Sequence, residues 1–207
     1  QVTLRGKPPK LSTLSTRPTL GGRKTVCTLE AHQNGFRFFT AKKGKVDIIY
    51  KNIKHAFFQP AEKELIVLIH FRLHNAIMIG KKKTLDVQFF TEVMEVSQAL
   101  GSVNRRHGDA EELEDEQRER EMRNKLNAEF QNFVKKVEEL GVGLEFDIPY
   151  RELGFYGVPE RNNVFLQPTV HCLVNLTESP FFALTLDEIE IAYFERVRFS
   201  LRNFDLV

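Results

Sequence analysis

Apolar and polar residues alternate through much of the first hundred positions, and the clearest run is Glu64–His74. Because side chains along a strand point to opposite faces in turn, one face of this run is wholly apolar. The other face becomes polar towards its end, at His70, Arg72 and His74. The pattern predicts a half-buried antiparallel strand. Its apolar face comprises Leu65, Val67, Ile69, Phe71 and Leu73.

Shorter runs of the same kind surround this strand, with turn residues between them. The pair Asn34-Gly35 predicts a tight hairpin, because both residues accept the positive φ angles of a type I′ turn. Pro60 ends another strand, since proline cannot donate to a strand ladder. The segments predicted to be extended are Thr25–Thr40 (a hairpin), Val46–Tyr50, Ile53–Phe58, Glu64–His74, and the hairpin formed by Ala76–Ile79 and Leu85–Phe90.

Two stretches change to the spacing of an amphipathic helix. Thr91–Leu100 is short and predicts a helix that closes the open end of a bent sheet. Asp109–Leu140 predicts one long helix that ends at Gly141 and Gly143. Its first half is almost entirely charged, which is typical of a solvated arm. Its second half carries an apolar stripe that we expect to pack against a domain.

The sequence also repeats itself. Asn52–Phe58 is echoed by Glu188–Phe194, 136 positions later, and the spacing of Phe71, Leu73 and Asn75 returns at Phe199–Asn203. Two echoes in the same order predict two copies of one small β-rich domain. By this equivalence Phe199 and Leu201 take the places of Phe71 and Leu73 on a strand. Only four residues follow Asn203, whereas the first copy continues for 25 after Asn75, so the second copy is expected to be incomplete.

These patterns predict an α+β fold that is mainly β. We expect two tandem domains of pleckstrin-homology type, each an antiparallel bent sheet with a C-terminal helix, joined by a long helix. The predicted boundaries are 1–24 for an irregular leader, 25–105 for the first domain, 106–143 for the linker helix and 144–207 for the truncated second domain.

The net charge of +2 conceals a strong asymmetry along the chain. Residues 1–105 hold 18 basic and 7 acidic side chains, residues 106–140 hold 7 and 11, and residues 141–207 hold 5 and 10. A basic region favours phosphate or nucleic acid, and an acidic region favours basic proteins. The alternative is that both sets of charges only solvate the surface.

Catalytic and metal-binding patterns are weak. His70 and His74 could share a strand face, but two ligands without nearby cysteines make a poor zinc site. Cys27 and Cys172 stand alone, which is typical of buried, reduced thiols. Gly80–Thr84 ends like a phosphate-binding P-loop but lacks its first glycine. The sequence therefore predicts no enzyme, no metal and no cofactor, and it contains no apolar run of membrane-spanning length.

Two basic turns are candidates for contact with phosphate groups or DNA. Lysine supplies a point charge and binds phosphates without reading base sequence. In lipid-binding pleckstrin-homology domains a similar turn grips an inositol phosphate, so a phosphoinositide-binding membrane adaptor is the alternative function. A third interpretation is two solvated hairpin tips. The candidates are Lys42, Lys43, Lys45, Lys81, Lys82 and Lys83.

Four long runs resemble one known family. Leu29–Phe38, Val46–Pro60, Gly80–Val93 and Phe194–Val207 are similar to the middle region of the large subunit of FACT, a eukaryotic histone chaperone. The similarity extends from about Gly22 to Val207. It implies two tandem pleckstrin-homology-like domains that bind core histones and assist nucleosome disassembly and reassembly without ATP. It also implies a place in the nucleus, on chromosomes, during transcription, replication and repair.

The resemblance further implies the partners. These are the two-histone dimer and the central histone tetramer, the smaller FACT subunit through a region outside this chain, and nucleosomal DNA, with no membrane. In the family, the apolar segment that grips the dimer follows the second domain, so no residue up to Val207 has that role. Because histones are basic, acidic side chains near apolar ones are the candidate contacts. They are Glu178, Asp187, Glu188, Glu190 and Glu195, together with the charged arm at 111–116.

Overall fold

The computed structural model describes residues 2–20, 25–40, 44–62, 64–93 and 109–207, with side chains in the long helix from residue 116 onwards. Its contacts divide the chain into two compact units, Gln1–Ile148 and Pro149–Val207. We call them unit 1 and unit 2. The fold is mainly β with one long helix, which confirms the predicted class.

Unit 1 is built on an eight-stranded curled sheet in the order β4-β3-β2-β1-β7-β6-β5-β8. All neighbouring strands are antiparallel except β5 and β8, which run parallel. Phenylalanines from both halves of the sheet meet in one core, where Phe36 stacks on Phe71 with 4.8 Å between ring centroids. The strands are β1 Lys10–Arg17, β2 Cys27–Ala31, β3 Gly35–Thr40, β4 Lys45–Ile49, β5 Ile53–Gln59, β6 Ile66–Ile79, β7 Lys82–Glu92 and β8 Phe146–Asp147.

The prediction of an irregular leader over 1–24 is wrong at its centre. Strand β1 lies inside the sheet, where its first half pairs with β2 and its second half with β7. Leu11 and Leu14 are fully buried although they are three positions apart. The pairing register shifts between them, and Thr13 has a φ of 60°. This bulge hides the strand in the sequence, because it interrupts the period of two.

The predicted hairpin at Asn34-Gly35 exists, but its turn is different. His32 N donates to Gly35 O (2.9 Å) and closes a four-residue loop, and Gly35 itself begins β3 without a positive φ. A Cβ atom at Gly35 would lie 2.4 Å from the carbonyl oxygen of Ile48. The glycine is therefore required for the close approach of β4, and the type I′ turn predicted from the sequence is wrong.

The strands predicted at Glu64–His74 and Ala76–Ile79 form one continuous strand, β6. Its pairing with β7 is irregular between Arg72 and Ile77, and the hairpin turns at Gly80, whose φ is 62°. Thr91, whose residue type and place predict the N-cap of the closing helix, instead pairs with Val67 within β7. From residue 94 onwards the predicted closing helix lies outside the described residues.

The long helix α1 spans Asp109–Glu138. As predicted, its second half packs on a domain, with the side chains of Leu126, Phe130, Phe133 and Val137 buried in the core of unit 1. Asn127 also holds the backbone of Ala61 through two hydrogen bonds. Ala61 N donates to Asn127 Oδ1 (2.8 Å), and Asn127 Nδ2 donates to Ala61 O (2.9 Å).

The linker predicted at 106–143 thus forms part of the first unit. Phe146, on strand β8, is buried in the same core. The second unit begins at Pro149 and not at residue 144, because β8 pairs with β5 in the sheet of unit 1.

Unit 2 contains a four-stranded antiparallel sheet in the order β12-β11-β10-β9 and a separate pair, β13 and β14. Ile189–Phe194, which the repeat predicts to be a strand like Ile53–Phe58, is paired as a strand only at its last residue. Short 3-10 helices occur at Arg151–Leu153 and Leu186–Glu188. The strands are β9 Phe155–Gly157, β10 Val164–Pro168, β11 Cys172–Asn175, β12 Phe182–Thr185, β13 Phe194–Glu195 and β14 Asp205–Leu206.

The internal repeat is visible in local structure. Unit 1 has a 3-10 helix at Tyr50–Asn52 between β4 and β5, and the 3-10 helix Leu186–Glu188 follows β12 at the same offset of 136 positions. The residues that end these helices have nearly equal backbone angles, with φ −84° and ψ 118° at Ile53 and φ −86° and ψ 116° at Ile189.

Candidate functional site

Four of the acidic candidates lie on one segment of unit 2, whereas the charged arm at 111–116 lies in α1, where side chains are described only from residue 116. Asp187 and Glu188 lie in the 3-10 helix Leu186–Glu188, Glu190 follows it, and Glu195 lies in β13; all are exposed. Glu178 is separate, in the turn between β11 and β12, where its backbone carbonyl accepts a hydrogen bond from Asn175 Nδ2 (3.2 Å). We call residues 187–195 the acidic-apolar segment.

Apolar side chains alternate with these acids. Ile191 is 78% exposed and Phe194 is 64% exposed, and Ile189 is partly exposed as well. Exposed apolar groups of this size are unusual on a surface that contacts only water. Carboxylates placed between them would attract a basic partner, while the apolar groups would supply contact area once water is excluded.

An ion pair braces the far end of this segment. Arg196 donates two hydrogen bonds to the carboxylate of Asp205, and these bonds lower the pKa of that carboxyl. The pair joins the two short strands β13 and β14. Phe194 packs edge-on against Phe204, with 5.1 Å between ring centroids. No local pattern predicts this contact between the two rings, because only the hairpin brings them together.

A second exposed surface of unit 2 was missed by sequence reasoning. Tyr156 lies 5.1 Å from Phe165 between ring centroids, and the Arg151 guanidinium lies over the Phe165 ring at 5.2 Å. A Cβ at Gly154 would meet the Phe165 ring at 2.3 Å, so glycine is needed there. Tyr156 is 72% exposed. The aromatic residues in the turn-rich stretch 154–167 were the available signal.

The basic candidates are divided between two places. Lys42 and Lys43 lie outside the described residues, while Lys45 begins the edge strand β4 and is exposed. Lys81 lies in the turn of the β6–β7 hairpin, and Lys82 and Lys83 begin β7; all three are exposed. In the sheet order β4 and β7 are separated by three strands. The sheet therefore presents the two groups on different elements.

The titratable groups considered for metal binding or catalysis are arranged differently from expectation. His70 is fully buried, with Nε2 3.1 Å from Asp86 Oδ1, while Asp86 also accepts a hydrogen bond from Arg72 (2.6 Å). His74 is exposed, so the two histidines have different environments. Among the described residues no group of three or more His, Cys, Asp or Glu side chains could hold a metal ion.

The thiol of Cys27 is held in its protonated form. Burial raises its pKa to about 12. A thiol reacts as a nucleophile mainly through its thiolate, so Cys27 is a packing residue at neutral pH. In the part of the chain that the structure describes, no helix is long and apolar enough to cross a membrane.

Comparison with known proteins gives matches along most of the chain. The model of the FACT complex subunit SPT16 PH-like domain matches residues 9–137, and that of the histone chaperone Rttp106-like middle domain matches residues 156–207. The chain is 55% identical over 211 residues to the FACT complex subunit SPT16 of Dictyostelium discoideum, a match that covers 99% of this chain and 19% of that protein. The chain is 54% identical to the subunit of the same name from Oryza sativa, in a match that covers 98% of this chain and 20% of that protein.

Among solved structures, that of the Spt16D Pob3N heterodimer aligns with this chain at 12% sequence identity and a TM-score of 0.36. The alignment covers 93% of this chain and 79% of the chain in that structure. The chain spans about a fifth of the length of the curated relatives. The match over residues 9–137 covers more than half of the chain, so it shows that the chain belongs to the family of FACT complex subunit SPT16 PH-like domains.

Proposed function

We propose that this chain binds core histones and assists ATP-independent disassembly and reassembly of nucleosomes, as part of a FACT complex in the nucleus. The relatives carry the name of a FACT complex subunit, and the family matched by residues 156–207 is described as a histone chaperone. The observation on the molecule that supports this most directly is the acidic-apolar segment at 187–195, which lies within that match.

The physical mechanism is competition for histone surfaces. Histones are rich in Lys and Arg, which DNA neutralises in a nucleosome. Carboxylates on this chain would replace part of that neutralisation, and the exposed apolar side chains of Ile191 and Phe194 would add contact area. Holding a histone surface that DNA has left lowers the free energy of the opened state. Binding energy alone shifts this equilibrium, so no ATP is needed.

The partners follow from the same proposal. We expect binding to the two-histone dimer or to the central histone tetramer. We expect the smaller FACT subunit to be held by a part of the full-length protein outside this chain. No catalytic role is proposed for any residue.

A charge-reversal experiment tests the segment. Binding of fluorescently labelled histone dimer and tetramer would be measured for the unaltered chain and for the double variant Glu190→Lys/Glu195→Lys. We expect about a tenfold loss or more, because two attractive contacts become repulsive. The control Glu129→Lys/Glu139→Lys makes the same change of net charge on exposed positions of α1 and just after it. An equal loss in both variants would show that only the total charge matters.

The apolar contribution has a separate signature. Ile191→Ser leaves the charge unchanged, so its loss of affinity for histones should persist at high salt, where ionic contacts are screened. If the chain bound phosphoinositide vesicles and no histones, the alternative of a membrane adaptor would replace this proposal.

A further inference from the structure

Unit 1 gathers exposed cations at one end of its sheet, and its N-terminal segment supplies two of them. Residues 2–9, which we call the strap, lie along the loop between β2 and β3. Thr3 N donates to Asn34 Oδ1 (2.6 Å), and Arg5 N donates to His32 Nδ1 (3.2 Å). These bonds fix the backbone of the strap. The side chains of Arg5 and Lys7 are exposed there.

The 3-10 helix Tyr50–Asn52 lies beside the same loop. Tyr50 N donates to Asn34 O (3.0 Å), and the Tyr50 hydroxyl donates to His32 O (2.9 Å). Burial raises the pKa of Tyr50 to about 12, and the positive charge of Arg5 acts in the opposite direction. Lys51, in this helix, is exposed. The strap and the helix therefore present their cations at the same end of the sheet.

The β6–β7 hairpin is tied to this helix. Asn52 Nδ2 donates to Asn75 O and Asn75 N donates to Asn52 Oδ1, each at 2.9 Å. The hairpin continues past this contact to its turn at Gly80. It carries Lys81, Lys82 and Lys83 at its tip, all exposed. Three separate segments thus contribute lysine or arginine to one end of unit 1.

Two carboxylates near this end face basic side chains. Asp47 accepts two hydrogen bonds from Arg37, at 2.7 and 2.9 Å. Glu30 Oε2 lies 3.3 Å from His32 Nε2. Within the strap, the 3-10 helix and the hairpin tip at residues 75–84, every charged side chain is a lysine or an arginine.

Two of the segments that carry these cations are open to solvent at a glycine. A Cβ atom built at Gly6, in the strap, or at Gly80, in the hairpin turn, would meet nothing within 4 Å. A site for one phosphorylated headgroup is usually a concave pocket that surrounds its ligand. Protruding cations on several segments fit a long polyanion better, because duplex DNA offers one phosphate charge for about every 1.7 Å of its axis.

We propose that this end of unit 1 contacts the sugar-phosphate backbone of duplex DNA without reading its sequence. The contacting side chains are those of Arg5, Lys7, Lys51, Lys81, Lys82 and Lys83. Lysines at protruding positions neutralise phosphates and carry no base specificity. The choice of DNA as the polyanion rests on the proposed function, which places the chain beside nucleosomes.

The test uses the 207-residue chain and a fluorescein-labelled duplex of mixed sequence, with binding followed by fluorescence anisotropy across a salt series. The double variant Lys51→Glu/Lys82→Glu should bind about tenfold more weakly or worse, and the slope of log K against log salt should fall by about 2. The matched control Arg120→Glu/Lys125→Glu reverses two exposed cations on α1 and should lose less than about threefold.

Equal losses in the two variants, or no loss in the first, would overturn the proposal. So would binding to vesicles that contain phosphoinositides with no binding to the duplex. Unfolding in urea at an unchanged midpoint shows that both variants are folded. The same variants are also tested against histones. If DNA binding fails while histone binding persists, only this inference is wrong; if histone binding fails while the duplex still binds, only the proposed function is wrong.

Discussion

Corresponding residues of units 1 and 2 differ strongly in burial, although a 3-10 helix recurs at the same place in both copies. Phe71 is 0% exposed and Leu73 is 2% exposed, whereas their equivalents Phe199 and Leu201 are 115% and 52% exposed. Likewise Phe58 is buried, and its equivalent Phe194 is exposed. The equivalence between the two copies therefore does not extend to burial in this structure, although Phe194 does lie in a strand.

The difference arises from what lies next to each segment. In unit 1, β6 pairs with both β5 and β7, and the helix α1 adds Phe130 and Phe133 to the core. In unit 2, within residues 149–207, the residues after the 3-10 helix Leu186–Glu188 form only the two-residue pairing of β13 with β14. A repeated sequence therefore determines local features such as the 3-10 helix and its cap. Burial depends instead on strands and helices from distant parts of the chain.

The largest expected effect comes from alanine substitutions at two corresponding residues, one buried in unit 1 and one exposed in unit 2. Phe71→Ala should lower the free energy of unfolding by roughly 3–5 kcal/mol, because it leaves a cavity beside Phe36 and Phe89. Phe199→Ala removes an exposed ring and should change it by less than about 0.5 kcal/mol. Urea unfolding followed by circular dichroism measures both. A comparable loss for Phe199→Ala would show that this residue is buried after all.

The attachment of helix α1 to unit 1 gives the next largest effect. Asn127→Ala should cost about 1–3 kcal/mol in the free energy of unfolding, because the backbone N and O of Ala61 would both lose their partner. The exposed neighbour Asn124 is the control, since Asn124→Ala should be neutral or stabilise the helix by a few tenths of a kcal/mol. Equal effects would mean that the contact with Ala61 contributes nothing.

Each unit contains a bidentate pair of Arg and Asp, and their pH dependence should differ. Hydrogen bonds from Arg37 lower the pKa of Asp47 from 3.8 to about 2. The ionised carboxylate therefore stabilises the folded state above about pH 4, and this contribution is lost as the pH falls towards 2. At pH 7 we expect Asp47→Asn to cost about 1 kcal/mol, a value reduced by solvent screening.

The exposed pair of unit 2 is the control for that measurement. Asp205→Asn should leave the urea midpoint unchanged at pH 7, because water competes for both partners. For Asp47→Asn, the difference from the unaltered chain should shrink as the pH approaches 2. A difference that is independent of pH would mean that the carboxylate charge is not the cause.

The smallest expected effect is a difference in cysteine labelling. Cys27 and Cys172 are both buried, so neither should react with a thiol reagent without denaturant. As urea increases, Cys172 should react first, because unit 2 has the smaller set of buried apolar side chains. The single-cysteine variants Cys27→Ala and Cys172→Ala separate the two signals. Labelling of Cys27 at the lower urea concentration would contradict the ranking of the two units.

Several elements could be predicted from sequence because their signals are local. The alternation in Glu64–His74 located the centre of β6, and the apolar stripe of the long helix identified the face that packs. Strand β1 was missed because a bulge breaks its period. Strand β8 was assigned to the wrong unit because it is only two residues long and pairs with β5, about 90 positions away.

The candidate surfaces also differ in whether their residues are close in sequence or are brought together only by the fold. The acids of the acidic-apolar segment were identified because they are close in sequence. The cations at the end of unit 1 were identified only in part. Lys81–Lys83 form a run, whereas Arg5 and Lys51 join them through hydrogen bonds of Asn34, His32 and Asn52 that no local pattern announces.

The sequence by itself determined the mainly β class, the helix, the repeat with its offset of 136 and the family resemblance. These depend on side-chain periodicity and on short motifs, which act within a few residues. Only the tertiary structure decided where unit 1 ends, that β1 is an interior strand, and that Phe71 is buried while Phe199 is exposed. Burial is a property of the neighbours that a side chain meets, and those neighbours come from distant parts of the chain.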